Sequence, residues 1–117
     1  MKIRLTINGL PVTATFADNA TSRDFVALLP LTLTLEDYAS TEKIAYLPRK
    51  LSTAGAPAGF EPSMGDVAYY VPWGNLAIFH RDFRYSDGLI KLGRIDSGVE
   101  ALKARGPLKV AIERIQN

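Results

Sequence analysis

Few side chains in this sequence could do chemistry, and their spacing limits what that chemistry could be. There is no cysteine, which excludes thiolate nucleophiles, disulfides, zinc ribbons and iron–sulfur ligation. A single histidine, His80, cannot build a two-histidine metal site within one chain. It stands between Phe79 and Arg81-Asp82 with no local nucleophile signature, and reads as a surface or hydrogen-bonded residue. Asp82 and Asp87 are spaced too sparsely for an oxygen-rich cation loop, and Ser86-Asp87-Gly88 reads as a turn. Gly55, Gly59 and Gly65 lead into a strand, so no helix start is available to use them as a phosphate cradle. What remains are binding-type side chains: Tyr46, Arg49, the pair Tyr69-Tyr70, and Trp73 in a Pro-Trp-Gly turn. Tyr69 and Tyr70 point to opposite faces of a strand, so one is expected in the core with its hydroxyl at the rim and the other in a surface groove. Trp73 reads either as a packing lid on the core or as an exposed platform for a ligand.

The elements that must position these residues are mostly strands. Ile3, Leu5 and Ile7 alternate with Lys2, Arg4 and Thr6, Asn8-Gly9 turns the chain, and Val12, Ala14 and Phe16 continue the alternation back, a hairpin. Thr21 with Asp24 three residues on resembles a helix N-terminus, followed by Phe25, Leu28 and Leu29 on one face and stopped by Pro30. Further strands are expected at Leu31–Leu35, Ile44–Leu47, Asp66–Val71, Asn75–Phe79, Leu89–Ile95 and Leu108–Ile112. Ser97 and Glu100 read as a capping box opening a second helix, which Gly106-Pro107 ends. Residues 48–65, rich in proline and glycine, read as the longest loop, and residues 50–64 within it as the least ordered internal segment.

Composition is that of one ordinary domain, residues 1–117, with 47% hydrophobic and 22% charged residues. Residues 1–58 carry 6 basic and 5 acidic side chains and residues 59–117 carry 8 and 7, so each half is +1 and no basic face exists to follow a phosphate backbone. Nucleic acid is therefore not expected as a partner. No run approaches the eighteen or so apolar residues of a membrane helix, and the N-terminus reads as a strand rather than an export signal, which makes the cytoplasm the default location.

The order of elements resembles a known family. The stretch from Ile3 to Leu29, strand, Asn-Gly, strand, then Thr-x-x-x-Phe-x-x-Leu, is similar to the opening of a cyclophilin. Leu92-Gly93-Arg94-Ile95-Asp96-Ser97-Gly98-Val99-Glu100 resembles the cyclophilin signature of Gly-Lys-Val followed by a glycine and a helix. Tyr69-Tyr70-x-Pro72-Trp73-Gly74-Asn75-Leu76-Ala77-Ile78-Phe79 resembles a short bacterial and archaeal branch, the cyclophilin-like family. The resemblance implies a mainly β fold, a closed eight-stranded barrel with two short capping helices.

Cyclophilins isomerise the X-Pro bond by aiming an arginine at the prolyl nitrogen from an apolar groove, which weakens the amide conjugation behind a barrier of about 20 kcal/mol. In the family that arginine lies three residues before a proline, with a phenylalanine just after it. Here Ala45 stands three before Pro48 and no phenylalanine follows, while Arg49 is displaced. Arg84 and Leu89 occupy the region of the expected tryptophan and histidine, and Ile78 replaces the central phenylalanine. The resemblance thus implies a small binding domain without efficient isomerase activity, needing no cofactor or metal. Its peptide or small-molecule groove is expected to be lined by Tyr46, Arg49, Tyr70, Trp73, Leu76, Ile78 and the 48–65 loop. The alternatives are a prolyl isomerase with Arg49 as its catalytic residue, and a partner domain for a flavodoxin-like redox protein.

Overall fold

The structure, a computed structural model, describes residues 1–115. Ten strands run β1 (Lys2–Ile7), β2 (Leu10–Phe16), β3 (Leu31–Tyr38), β4 (Glu42–Tyr46), β5 (Gly59–Phe60), β6 (Asp66–Tyr70), β7 (Asn75–Phe79), β8 (Ser86–Asp87), β9 (Leu89–Ile95) and β10 (Leu108–Arg114). Eight of them close an antiparallel barrel in the order β1-β10-β3-β4-β7-β6-β9-β2, and β5 and β8 pair separately. The β1–β2 hairpin turns at Asn8 and Gly9, whose φ angles of 47° and 86° suit the Asn-Gly turn that matches strand twist.

Closure follows from alternation, interrupted by a register shift at Val67 and Ala68 where β6 pairs with β9. Ile3, Leu5, Ile7, Val12, Ala14, Phe16, Val67, Tyr69, Leu76, Ile78, Ile90, Leu92, Val110 and Ile112 all point inward and form one buried cluster. The seam between β2 and β9 depends on Gly93: a Cβ there would lie 2.4 Å from the Thr15 carbonyl oxygen and 2.6 Å from the Phe16 ring.

The helix α1 (Ala20–Val26) covers one end of the barrel. Phe25 is fully buried and stacks on Phe16 with ring centroids 5.6 Å apart. The cap is not Thr21. Asn19 accepts from the Ser22 backbone N–H, while the Thr21 hydroxyl turns inward and donates to the Ser52 carbonyl at 2.7 Å. Asp24, one turn into the helix, is drawn instead to Arg49.

At the opposite end the expected second helix is a single 3-10 turn, Val99–Lys103, which buries Leu102. Ser97 does not cap it. Gly98 holds that position at φ 87°, a left-handed conformation that Ser97 cannot supply from one residue earlier, and the turn has no side-chain cap. The turn is fastened from inside the barrel. Lys43 on β4 is fully buried, and its Nζ reaches Asp37 Oδ1 at 2.7 Å and the Gly106 carbonyl at 2.6 Å. Asp37 Oδ2 in turn accepts the Gly106 N–H at 2.7 Å. Among the described residues no helix is long and apolar enough to cross a membrane.

The 48–65 segment is more tied down than its composition suggests. Leu51 is buried and its N–H donates to the Tyr69 hydroxyl, Ser52 is held from both sides, and Gly59-Phe60 pairs with Ser86-Asp87.

Truncating Phe25→Ala is expected to cost about 3–5 kcal/mol, read as a lower denaturant midpoint, since the Phe16 face would be left against a cavity. The Lys43–Asp37 pair should respond asymmetrically. Asp37→Ala strands a buried ammonium, whereas Lys43→Met leaves a half-exposed carboxylate that water can solvate. Asp37→Ala should therefore lower Tm more than Lys43→Met, and thermal melts of the two variants compare them directly.

Candidate functional site

A hollow of about 360 Å³ lies on the outer wall of the barrel, over β4, β7 and β6. Its construction follows from the other half of the alternation. With Leu76 and Ile78 pointing in, Asn75, Ala77 and Phe79 point out; with Val67 and Tyr69 in, Ala68 and Tyr70 point out. The apolar floor of the hollow includes Ile44 and Leu89, and beneath it Ala68 and Ala77, directly paired across β6 and β7, are fully buried. They belong to a second apolar cluster with Phe79, Leu89, Ile44, Phe60, Tyr70 and Phe83, outside the barrel core.

Aromatic rings wall this floor. Trp73 meets both Tyr38 and Tyr70 edge to face, each at 5.4 Å, so a row of three rings runs from β3 to β6. Across from it, Phe83 stacks on Phe79 at 6.4 Å, and the Arg84 guanidinium lies 4.6 Å from the Phe83 ring centre. The 83–87 segment is held there by β8 pairing with β5 and by the Phe83 N–H donating to Pro62.

Two polar side chains in this apolar setting have incomplete partners. Asn75 is buried, and although its Nδ2 donates to the Leu76 carbonyl, its Oδ1 has no hydrogen-bond partner. Glu42 is only 8% exposed and lines the hollow where β4 faces Tyr38 and Phe79. Burial pushes its carboxyl up to about 7, with the Thr41 hydroxyl pulling weakly the other way. No ion pair holds Glu42 among the described residues. Native structures rarely leave such groups uncompensated, and a buried acid of raised pKa in a cleft is a candidate for function.

The residues expected at the site are only partly brought together. Tyr70 and Trp73 line the hollow, and Trp73, 46% exposed on the outer wall, is a platform and not a lid on the barrel. Leu76 and Ile78 do not line it; both are fully buried inside the barrel because they occupy the inward parity of β7. Tyr46 is exposed at the end of β4, outside the hollow's lining. Arg49 is also elsewhere. Its two Nη atoms pair with both Asp24 oxygens at 3.0 and 2.8 Å, and Asp24 also takes the Ser52 N–H at 2.7 Å. Those bonds hold the Asp24 carboxyl below its usual range and make Arg49 a clamp between α1 and the 49–52 strand-like segment. The 48–65 loop borders a different depression of about 630 Å³, shared with β2 and β9, through Ala54–Pro57 and Gly59-Phe60.

His80 is buried rather than on the surface, because it takes the inward parity after Phe79; its backbone N–H donates to Thr41, and its Nδ1 has no partner. Burial, with Lys43, Arg81 and Lys103 nearby, lowers its basicity, while Asp37 opposes them. Asp82 caps a turn by accepting the Met64 N–H at 2.8 Å. Sequence reasoning missed Glu42, Asn75 and Arg84 as groove residues. The parity of β4 and β7 was available as a signal for the first two, since Glu42 and Asn75 share an outward face with Ile44 and Ala77.

The fold defines a class: a closed antiparallel barrel, here with an aromatic-walled hollow on its outer wall. A family model described as the cyclophilin-like family matches residues 5–113, and the chain belongs to that family. A similar solved structure is the solution structure of a hypothetical protein from Archaeoglobus fulgidus, with a TM-score of 0.69 and 18% identity, covering 98% of this chain and 95% of that one. It shares the fold. A search of the curated proteins gave no match.

Glu42 makes stability depend on pH with a definite sign. Its carboxyl is raised from an ordinary 4.5 to about 7, so the folded chain binds the proton more tightly than the unfolded one. The stability this contributes is complete below about pH 4.5 and is lost as pH rises through 7. Glu42→Gln should be more stable than the parent at pH 8.5 by about 2 kcal/mol, allowing for partial solvent access, and nearly equal to it at pH 4.5. The difference between paired urea titrations at the two pH values isolates this group from His80.

Proposed function

We propose that this protein is a small binding domain whose ligand occupies the outer-wall hollow, without efficient prolyl isomerase activity. The observation that carries this reading is the pair of buried polar side chains, Glu42 without an ion pair and Asn75 with an unpartnered Oδ1, lining a hollow floored by Ile44 and Leu89 between aromatic walls. An apolar cleft with a few convergent polar groups is the usual form of a small-ligand site, and its volume suits a ligand of modest size.

Isomerisation needs a guanidinium aimed at the prolyl nitrogen inside the groove, and Arg49 spends its fork on Asp24 outside it. Arg84 keeps an isomerase reading alive as the second possibility, because it is the arginine that lines the hollow. It is exposed and lies against the Phe83 face, which competes for the same guanidinium.

Exchange of an X-Pro test peptide should proceed at, or only slightly above, the uncatalysed rate, since loss of one preorganised donor removes about two to three orders of magnitude. Robust turnover that disappears in Arg84→Ala would establish the isomerase reading instead. Binding is tested separately by titrating small aromatic probes while recording the fluorescence of Trp73, the single tryptophan. A saturable change that is lost when Ile44→Phe crowds the hollow supports the groove, and no response from any probe refutes it.

A further inference from the structure

The proposed groove also carries information about the chemistry of its ligand, and this inference rests on that groove reading. Glu42 is the distinctive element. It lies on the outward face of β4, opposite Tyr38 on β3 and Phe79 on β7, and all three line the hollow. Phe79 is apolar and fully buried, and Tyr38 is engaged edge to face with Trp73. Lys43, next in sequence, cannot serve as the counter-charge because it points through the wall to Asp37. His80 takes the same inward direction, beside Thr41. Across the hollow the charged and titratable side chains are Arg84, Asp87 and Tyr85, with Tyr70 on β6. Arg84 makes no ion pair with Glu42 and lies on Phe83 instead. The lining therefore holds two carboxylates and one arginine, and the more deeply buried carboxylate has no cation.

We propose that the groove binds a small molecule with a basic nitrogen, an ammonium or amidinium, that pairs with the Glu42 carboxylate, while a flat apolar body lies on the Ile44–Leu89 floor between the Tyr70–Trp73 and Phe79–Phe83 walls. A cation supplies what the site lacks. It compensates a carboxylate whose burial is otherwise unfavourable, and the exposed ring faces at the groove mouth favour positive charge over negative. An anionic ligand would set a second negative charge beside Glu42 and Asp87. Asn75 adds an acceptor on the same lining, suited to a further N–H of the ligand.

Proton linkage gives the proposal a signature. A carboxyl that titrates near 7 is partly protonated at neutral pH, and it must ionise to pair with an ammonium. Amine binding then expels a proton, and affinity rises with pH until Glu42 is ionised in the free protein.

The test compares phenethylamine with its neutral isostere phenethyl alcohol, using Trp73 fluorescence at pH 6 and pH 8, with a lysine-containing tripeptide as a third probe. At pH 8 the amine should bind at least tenfold more tightly than the alcohol. Its affinity should fall about tenfold on going to pH 6, while that of the alcohol stays constant. Glu42→Gln should abolish both the preference and the pH dependence, and a cooperative thermal melt at pH 4.5 matching the parent's shows that the variant is folded. Equal binding of amine and alcohol to the parent overturns the basic-ligand assignment while the groove reading stands. Loss of preference in Asp87→Asn but not in Glu42→Gln overturns the assignment to Glu42. Tighter binding of the lysyl peptide than of the amine overturns the free small molecule in favour of a basic side chain. Failure of all three probes counts against the groove itself.

Discussion

Closing eight strands into a barrel leaves an interior wide enough for side chains and little else. In this protein the interior is filled by Ile3, Leu5, Phe16, Tyr69, Leu76, Ile78, Leu92 and Ile112. Each strand then has one face committed to the core and one left over, and any ligand must be met by the second. The constraint explains why the hollow lies on the outer wall, why neighbouring residues such as Tyr69 and Tyr70 face opposite sides, and why Leu76 and Ile78 are close in sequence to the hollow yet cut off from it.

An outer wall is normally wet and polar. Here it becomes a cleft because the 83–87 segment and the Trp73 turn stand above it. Gly88 is part of that arrangement: it adopts φ 81°, and a Cβ there would lie 2.9 Å from the Pro72 ring, so the segment can approach the Tyr70-Val71-Pro72 stretch only without a side chain. Enclosing the wall in this way removes water from Glu42 and Asn75. Desolvation of unpaired polar groups disfavours folding, and it also makes them strong partners for a ligand that satisfies them.

Two clusters of charged residues do structural work, and both are distinct from the groove. The Asp24–Arg49 clamp ties α1 to the segment that carries Leu51 into the core. The Lys43–Asp37–Gly106 network fastens the far end of the barrel in place of a longer helix. A basic residue near a cleft is easily read as chemistry, but a guanidinium whose fork is already matched by a carboxylate is mainly a fastening.

The barrel was legible in the sequence because period-two alternation is local: residues a few positions apart report which face is buried. The Asn8-Gly9 turn, the β1–β2 hairpin, the plugging role of Phe25 and the strand positions all follow from such short patterns and from the family resemblance. The site was only half legible. Tyr70 and Trp73 stand out by residue type, but Glu42, Asn75 and Arg84 acquire meaning only when β3, β4, β7 and the 83–87 segment meet, and nothing local signals that an ordinary glutamate will lose its water. The caps went the same way, with Asn19 displacing Thr21 and Gly98 displacing Ser97, because capping depends on backbone angles that neighbouring elements impose. The sequence by itself determined which faces turn inward, since alternation is written residue by residue. Only the tertiary structure decided which outward-facing residues are covered, because burial of an outer wall depends on segments far apart in the chain.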